Sequence, residues 1–358
     1  MRVFSEEAKK FNRKQKGVLV LFGLVIVQVL LWTQTVNVPN LKIELVKQDY
    51  FAIAEACGLH GAPDEAAETA FSEYQSDLSK ASDDLTAQSE ALSAGEIDYS
   101  TYLQNIKDNP FSNEKWTAAE QIKQQIDYVK GDPAARYITY TNGWEILFSH
   151  SGNYLTALFV LVLAALLFCP EYENGMQGFL RTTPNGTGRT VFAKLVLEML
   201  GIAVFIIASE AGYALYLHHR FGLPDAHFPV QSLPGFANCP YTLSILETFC
   251  LCVGLKILTC MVIGLTASFI YVLLKKVYSG TIAALLVCVL PAFLQGKTAL
   301  FIPLVSFLQS ELYFKGLETE EGLFFVSFDR LLLLIGMTVL CIAVLWAGTA
   351  ALWKKKSV

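Results

Sequence analysis

Charge is scarce in this sequence, and no cysteine arrangement points to a disulfide framework or a zinc site. Only 16% of the 358 residues are charged, against 53% apolar, and the mean hydropathy is +0.42. That balance excludes an ordinary soluble globular chain. Eight cysteines are present without a CxxC, and Cys250-x-Cys252 has the wrong spacing for zinc. Cys169, Cys250, Cys252, Cys260, Cys288 and Cys341 lie in or at apolar runs, where a thiol is a small core residue. Cys57 and Cys239 lie outside them, and a disulfide between the two is left open.

Nucleotide and metal motifs are missing as well. Gly296-Lys297-Thr298 resembles the end of a phosphate loop, but the glycine that a Walker A motif needs is replaced by Pro291. His218-His219-Arg220 and His227 have no acidic or thiol partner at ligand spacing, so they read as a cap at a span end. Asn185-Gly186-Thr187 matches a glycosylation sequon and reads better as a turn. No paired catalytic motif stands out. The expectation is a protein that is not an enzyme, with no cofactor, no metal and no nucleic-acid partner.

What the chain does contain is apolar blocks at 17–32, 154–169, 195–217, 242–274, 281–294 and 331–353. A helix needs ~20 mostly apolar residues to cross a bilayer core of ~30 Å. The blocks predict an all-α integral membrane protein of about six transmembrane helices, the first and fifth being short. The first block follows a basic stretch (Lys9, Lys10, Arg13, Lys14, Lys16), as in a signal peptide, but ends in LLWTQTV without a small-x-small cleavage site. It reads as an uncleaved helix.

Lys/Arg bias of short loops orients the spans. The N-terminal tail, the loop with Arg181, Arg189 and Lys194, the turn with Lys275 and Lys276, and the end with Lys354, Lys355 and Lys356 fall on one side. Both termini are then expected in the cytoplasm, with the lipid bilayer as first partner. The layout is a cytoplasmic interfacial helix within 1–16, transmembrane helix 1 at 17–32, an extracytoplasmic helical insert at 33–153, and helices 2–6 in 154–358 with a cytoplasmic loop at 170–194.

The insert between helices 1 and 2 carries 19 Asp/Glu against 8 Lys/Arg. Phe71, Tyr74, Leu78, Ala81, Leu85 and Leu92 step by three and four, with Gln88 filling the missing position, a narrow helical stripe between Pro63 and Gly95. A second helix is expected over 113–130 and a shorter one over 43–57, packed as an antiparallel bundle standing on the first two spans. Between spans five and six, 296–325 reads as a re-entrant or interfacial pair of short helices.

Three charges fall inside spans: Glu198, Glu210 and Lys256. Ionisable groups in lipid are costly and are paired or functional. They are expected to form a Glu–Lys pair tying adjacent helices, or to line a substrate path.

One stretch carries a family resemblance. A span ending in Phe168, followed by Glu171, Glu173, Gly178, Leu180, Pro184, Gly188-Arg189 and Lys194 opening the next span, resembles the second-to-third-span loop of ABC-2 type transporter permeases. The similarity is to permeases encoded beside separate ATPase subunits in Gram-positive bacteria, and the long insert is the main departure. The resemblance implies that Glu171, Glu173, Gly178, Arg181, Gly188, Arg189 and Lys194 belong to a coupling loop docked on a separate ABC ATPase subunit. It also implies an exporter that works as a homodimer or with a sister permease. The residues agree: the glycines permit tight turns, the cations suit lipid phosphates or an acidic partner, and Glu171 and Glu173 would start a short helix. The competing class is a membrane-anchored sensor or scaffold whose outer helices bind a ligand.

Overall fold

The computed structural model describes residues 2–13, 17–36, 41–62, 64–149, 154–173, 188–289, 308, 310–315, 317–319, 322–324 and 326–354. Among these the chain is almost wholly helical. The main exceptions are the segment 222–244 and, in the stretch 296–325 expected to hold only short helices, a one-turn helix α12 (Leu312–Lys315) followed by an antiparallel pair of short strands, β1 (Leu317–Thr319) and β2 (Gly322–Phe324), with Glu318 opposite Leu323.

Four helices are long and apolar enough to span a membrane. They are α8 (Tyr154–Glu173), α9 (Gly188–Phe221), α10 (Ile245–Leu274) and α13 (Phe328–Lys354). The block at 281–294 contributes to α11 (Val277–Val289), whose 13 residues cover about 20 Å at ~1.5 Å per residue. That is about two-thirds of a ~30 Å bilayer core, and the rest of the block lies outside the described residues. The block at 17–32 lies in α2 (Gly17–Val36), which runs four residues further than the sequence suggested. Its Gln28 is buried and donates from Nε2 to Ser209 Oγ of α9 at 2.6 Å. The six-span count goes beyond these four helices.

Helix ends follow local chemistry. Ser244 and Glu247 form a capping box at the start of α10, each side chain accepting the other's backbone N–H. Val160, Ala164, Ile202, Cys260 and Ile263 of α8, α9 and α10 share one buried core. Gly264 allows the close approach, since a Cβ there would press on Ile202, Glu198 and Val160. α1 (Arg2–Arg13), expected at 6–16, turns Glu7, Lys10 and Phe11 inward, three residues on one helical face.

The polar part of the chain holds α3 (Leu41–Cys57), α4 (Glu65–Ala94), α5 (Tyr99–Asp108), α6 (Asn113–Lys130) and α7 (Asn142–Ser149). Asp64 caps α4 by accepting the Ala67 N–H, so it precedes the helix, and Gly95 ends it in the left-handed region at φ 76°. Tyr50, Phe71, Ile122 and Val129 centre a separate core shared by α3, α4 and α6. The expected stripe on α4 is buried only as far as Ala81, while Leu85 and Leu92 are half-buried. α5 buries no residue.

The structure gives this bundle a seat that the sequence did not suggest. Among the described residues, its hydrogen bonds to the rest of the chain go to the segment 222–244 between α9 and α10. Tyr128 Oη donates to the Gln231 carbonyl (2.6 Å), Gln125 Nε2 to the Ser232 carbonyl (3.1 Å), and Thr139 Oγ1 to Asp225 Oδ2 (2.9 Å). Trp144 Nε1 of α7 donates to the Pro224 carbonyl at 2.8 Å. Beside it, a Cβ on Gly143 would overlap the Gly222 carbonyl oxygen, and Gly222 itself needs φ +78°. Only glycine fits either place. The segment is in turn fastened to the start of α10, with the Ile245 and Leu246 N–H groups donating to Phe228 and Ala226 carbonyls.

Candidate functional site

The resemblance directs attention to the two ends of the 170–194 stretch, and the structure builds a charge network there. Lys194, in the second turn of α9, has its Nζ 3.2 Å from Glu7 Oε2 of α1 and 3.2 Å from Glu171 Oε1 of α8. It also donates to the Leu167 carbonyl. Lys10 Nζ of α1 reaches the same Glu171 oxygen at 2.5 Å. Glu171 and Lys194 are each 1% exposed, so neither can be solvated by bulk water. Two carboxylates and two ammonium groups close a neutral set, and buried charge is tolerated only when so matched. α13 closes one side, where Trp353 meets Phe168 and Tyr172 edge-on at 5.9 and 5.7 Å.

This geometry revises two sequence expectations. Glu171 ends α8 instead of starting a short helix, because α8 runs through Pro170 to Glu173. The helix dipole is unfavourable to a carboxylate there, and the two ammonium groups offset it. Lys194 faces inward and is not available to lipid phosphate or to a partner. Arg189 is exposed on the first turn of α9, and a Cβ on neighbouring Gly188 would meet Lys354 at 3.5 Å. Glu173 closes α8. Gly178, Arg181 and the Pro184-Asn185-Gly186 turn lie outside the described residues, as does Gly296-Lys297-Thr298. Glu7 and Lys10 were not singled out from sequence, since their partners are remote: Lys194 for Glu7, and Glu171, 161 residues away, for Lys10.

Deeper in the helices, Lys256 Nζ of α10 donates to Glu210 Oε1 of α9 at 2.5 Å, both side chains being buried. Glu198 is not part of that pair. It accepts from Ser268 Oγ of α10, 2.8 Å from each carboxylate oxygen. The Glu210–Lys256 pair borders a cleft of about 20 Å³, room for one water, shared with Cys252, Ser310 and Glu311. Ser268 and Glu311 escaped notice because a lone serine in a span is unremarkable and Glu311 belongs to the 296–325 stretch, whose sequence reads as lying outside the spans.

His218, His219 and Arg220 occupy the last turn of α9, and Arg220 Nη1 donates to Tyr216 Oη at 3.0 Å. Among the described residues no three His, Cys, Asp or Glu side chains are grouped to hold a metal. Cys57 and Cys239 are both buried and free, and burial pushes both thiols up. No protein-family model matches the chain, and comparison with curated proteins and with solved structures finds no match either.

Proposed function

We propose that this chain is the membrane subunit of an ATP-driven exporter of the ABC-2 permease type, moving an unidentified substrate with energy from a separate ATPase subunit. In this reading it crosses the cell membrane six times, has both termini in the cytoplasm, and works as a homodimer or with a sister permease. The observation that carries the reading is the network of Glu7, Lys10, Glu171 and Lys194. It holds the two strands of chain that enter and leave the 174–187 loop in one rigid frame with α1. A push on that loop would reach α8 and α9 together, which coupling to a partner's motion requires.

Arg189 is the exposed cation at the frame's edge. Arg189→Glu should therefore weaken recovery of the ATPase subunit in a mild-detergent pull-down and abolish transport, while membrane abundance stays normal. Undiminished ATPase recovery, or a wild-type chain that brings down no ATP-hydrolysing partner, overturns the reading. A second reading, a membrane-anchored sensor or scaffold, is favoured by a polar cavity between α3, α6 and α7. It predicts recovery without an ATPase.

Orientation has its own test. In a background without native cysteines, a cysteine replacing Ser89, which is exposed on α4, should react with an impermeant thiol reagent in intact cells. One replacing Asn185 should react only after lysis. Reaction of both in intact cells, or the reverse order, rejects the proposed topology.

A further inference from the structure

The cavity beside α6 has a volume of about 330 Å³, inside the ~300–1,000 Å³ range of small-molecule sites. Its lining is unusually polar for such a site. Gln121, Gln124 and Gln125 of α6 reach it from one helical face, Tyr50 and Tyr140 border it, and Glu145 of α7 supplies an acidic side chain. Among the described residues no lysine or arginine and no second carboxylate lines it.

Some of these groups are already occupied by the fold. Tyr50 Oη donates to the Thr139 carbonyl at 3.2 Å, and Gln125 is committed to Ser232. The amides of Gln121 and Gln124 make no hydrogen bond among the described residues, and the Glu145 carboxylate has no ion-pair partner within 4 Å there. Burial pushes the Glu145 carboxyl up, opposed by the more distant ammonium of Lys315. The Glu145 carboxyl thus has no counter-charge within 4 Å among the described residues. The two tyrosine rings, 5.1 Å apart and inclined at 64°, add aromatic faces that attract cations.

We propose that this cavity binds a small primary-amine ligand, with its ammonium group on the Glu145 carboxylate and its carbonyl or amide groups on Gln121 and Gln124. The chemistry follows from the lining. A carboxylate and ring faces select positive charge, and a primary amide can both donate to and accept from a neighbouring amide. A neutral sugar would leave the carboxylate without a counter-charge, and an anion would be repelled. The inference stands apart from the exporter reading, because binding at this cavity requires no ATPase.

The test uses the full-length protein in detergent and a panel of amino-acid amides, each paired with its N-acetylated, uncharged counterpart. Binding is read by intrinsic fluorescence and by thermal shift. At least one amide should bind saturably, with its acetylated counterpart weaker by about tenfold or more, the loss of one charge-assisted contact. Glu145→Gln should weaken the amide by a similar factor without lowering the melting temperature of the free protein at neutral pH. That second readout separates a ligand-binding carboxylate from one that supports the fold. Gln124→Trp, at an exposed position on the rim, should block entry and carries the test if Glu145→Gln does not fold. The proposal is overturned if no amide binds, if acetylated and free amines bind alike, or if the foldable variants bind undiminished.

Discussion

Lys256→Met should produce one of the largest stability losses of any single substitution in this chain. Lys256 and Glu210 meet at 2.5 Å, with side chains 5% and 9% exposed. Removing the ammonium leaves a carboxylate buried among α9, α10 and their neighbours, and breaking such a pair from one side costs about 3–5 kcal/mol. Adding Glu210→Gln should restore much of the loss, because the stranded charge is then gone. Heat challenge of detergent-purified protein, followed by size-exclusion chromatography, gives the four corners of the cycle. The expected pattern is two costly single variants and a milder double. Additive effects would mean that Lys256 answers chiefly to Glu311, which borders the same cleft.

Lys194→Met should be comparably damaging at the other end of α9, and for a related reason. Lys194 is the only cation of its set within 3.2 Å of both Glu7 and Glu171, and it also satisfies the Leu167 carbonyl. Its loss removes a buried partner from both carboxylates, again an effect of about 3 kcal/mol or more. Lys10→Met is the informative control. Lys10 is 24% exposed, so water reaches part of the pair and the cost should fall to about 1 kcal/mol or less. Glu171→Gln placed in the Lys194→Met background should recover stability. A Lys10 variant as unstable as the Lys194 variant would contradict the ranking and make Lys10 the principal partner of Glu171.

Sequence reading succeeded where the physics is local. The bounds of α6 could be read directly, because Trp116, Ala119, Ile122, Ile126 and Val129 repeat at helical spacing ahead of Gly131, and the structure adds Ser112 as the cap. The Glu210–Lys256 pairing was also legible, since charges in apolar runs have few solutions. α5 went unnoticed because it buries no residue and so has no stripe to read. α7 was missed because its eight residues are too few for periodicity to stand out. The extension of α8 through Pro170 was hidden by the proline, which ordinarily ends a helix. Half of the candidate network was invisible for another reason. Glu7 and Lys10 sit in a tail whose charges looked interfacial, and only tertiary structure brings them to Lys194 and Glu171.

The seat of the polar bundle on the segment after α9 has a thermodynamic consequence. α9 is 34 residues long, with Lys194 and exposed Arg189 near one end and Phe221 and Gly222 at the other. Pro234, on the segment that follows, borders the cavity proposed to bind an amine. On the two proposals, occupancy of the cavity and occupancy at Arg189 would act on opposite ends of one lever. If one shifts the lever, the other must feel it, and the factor by which each changes the other's affinity is the same in both directions.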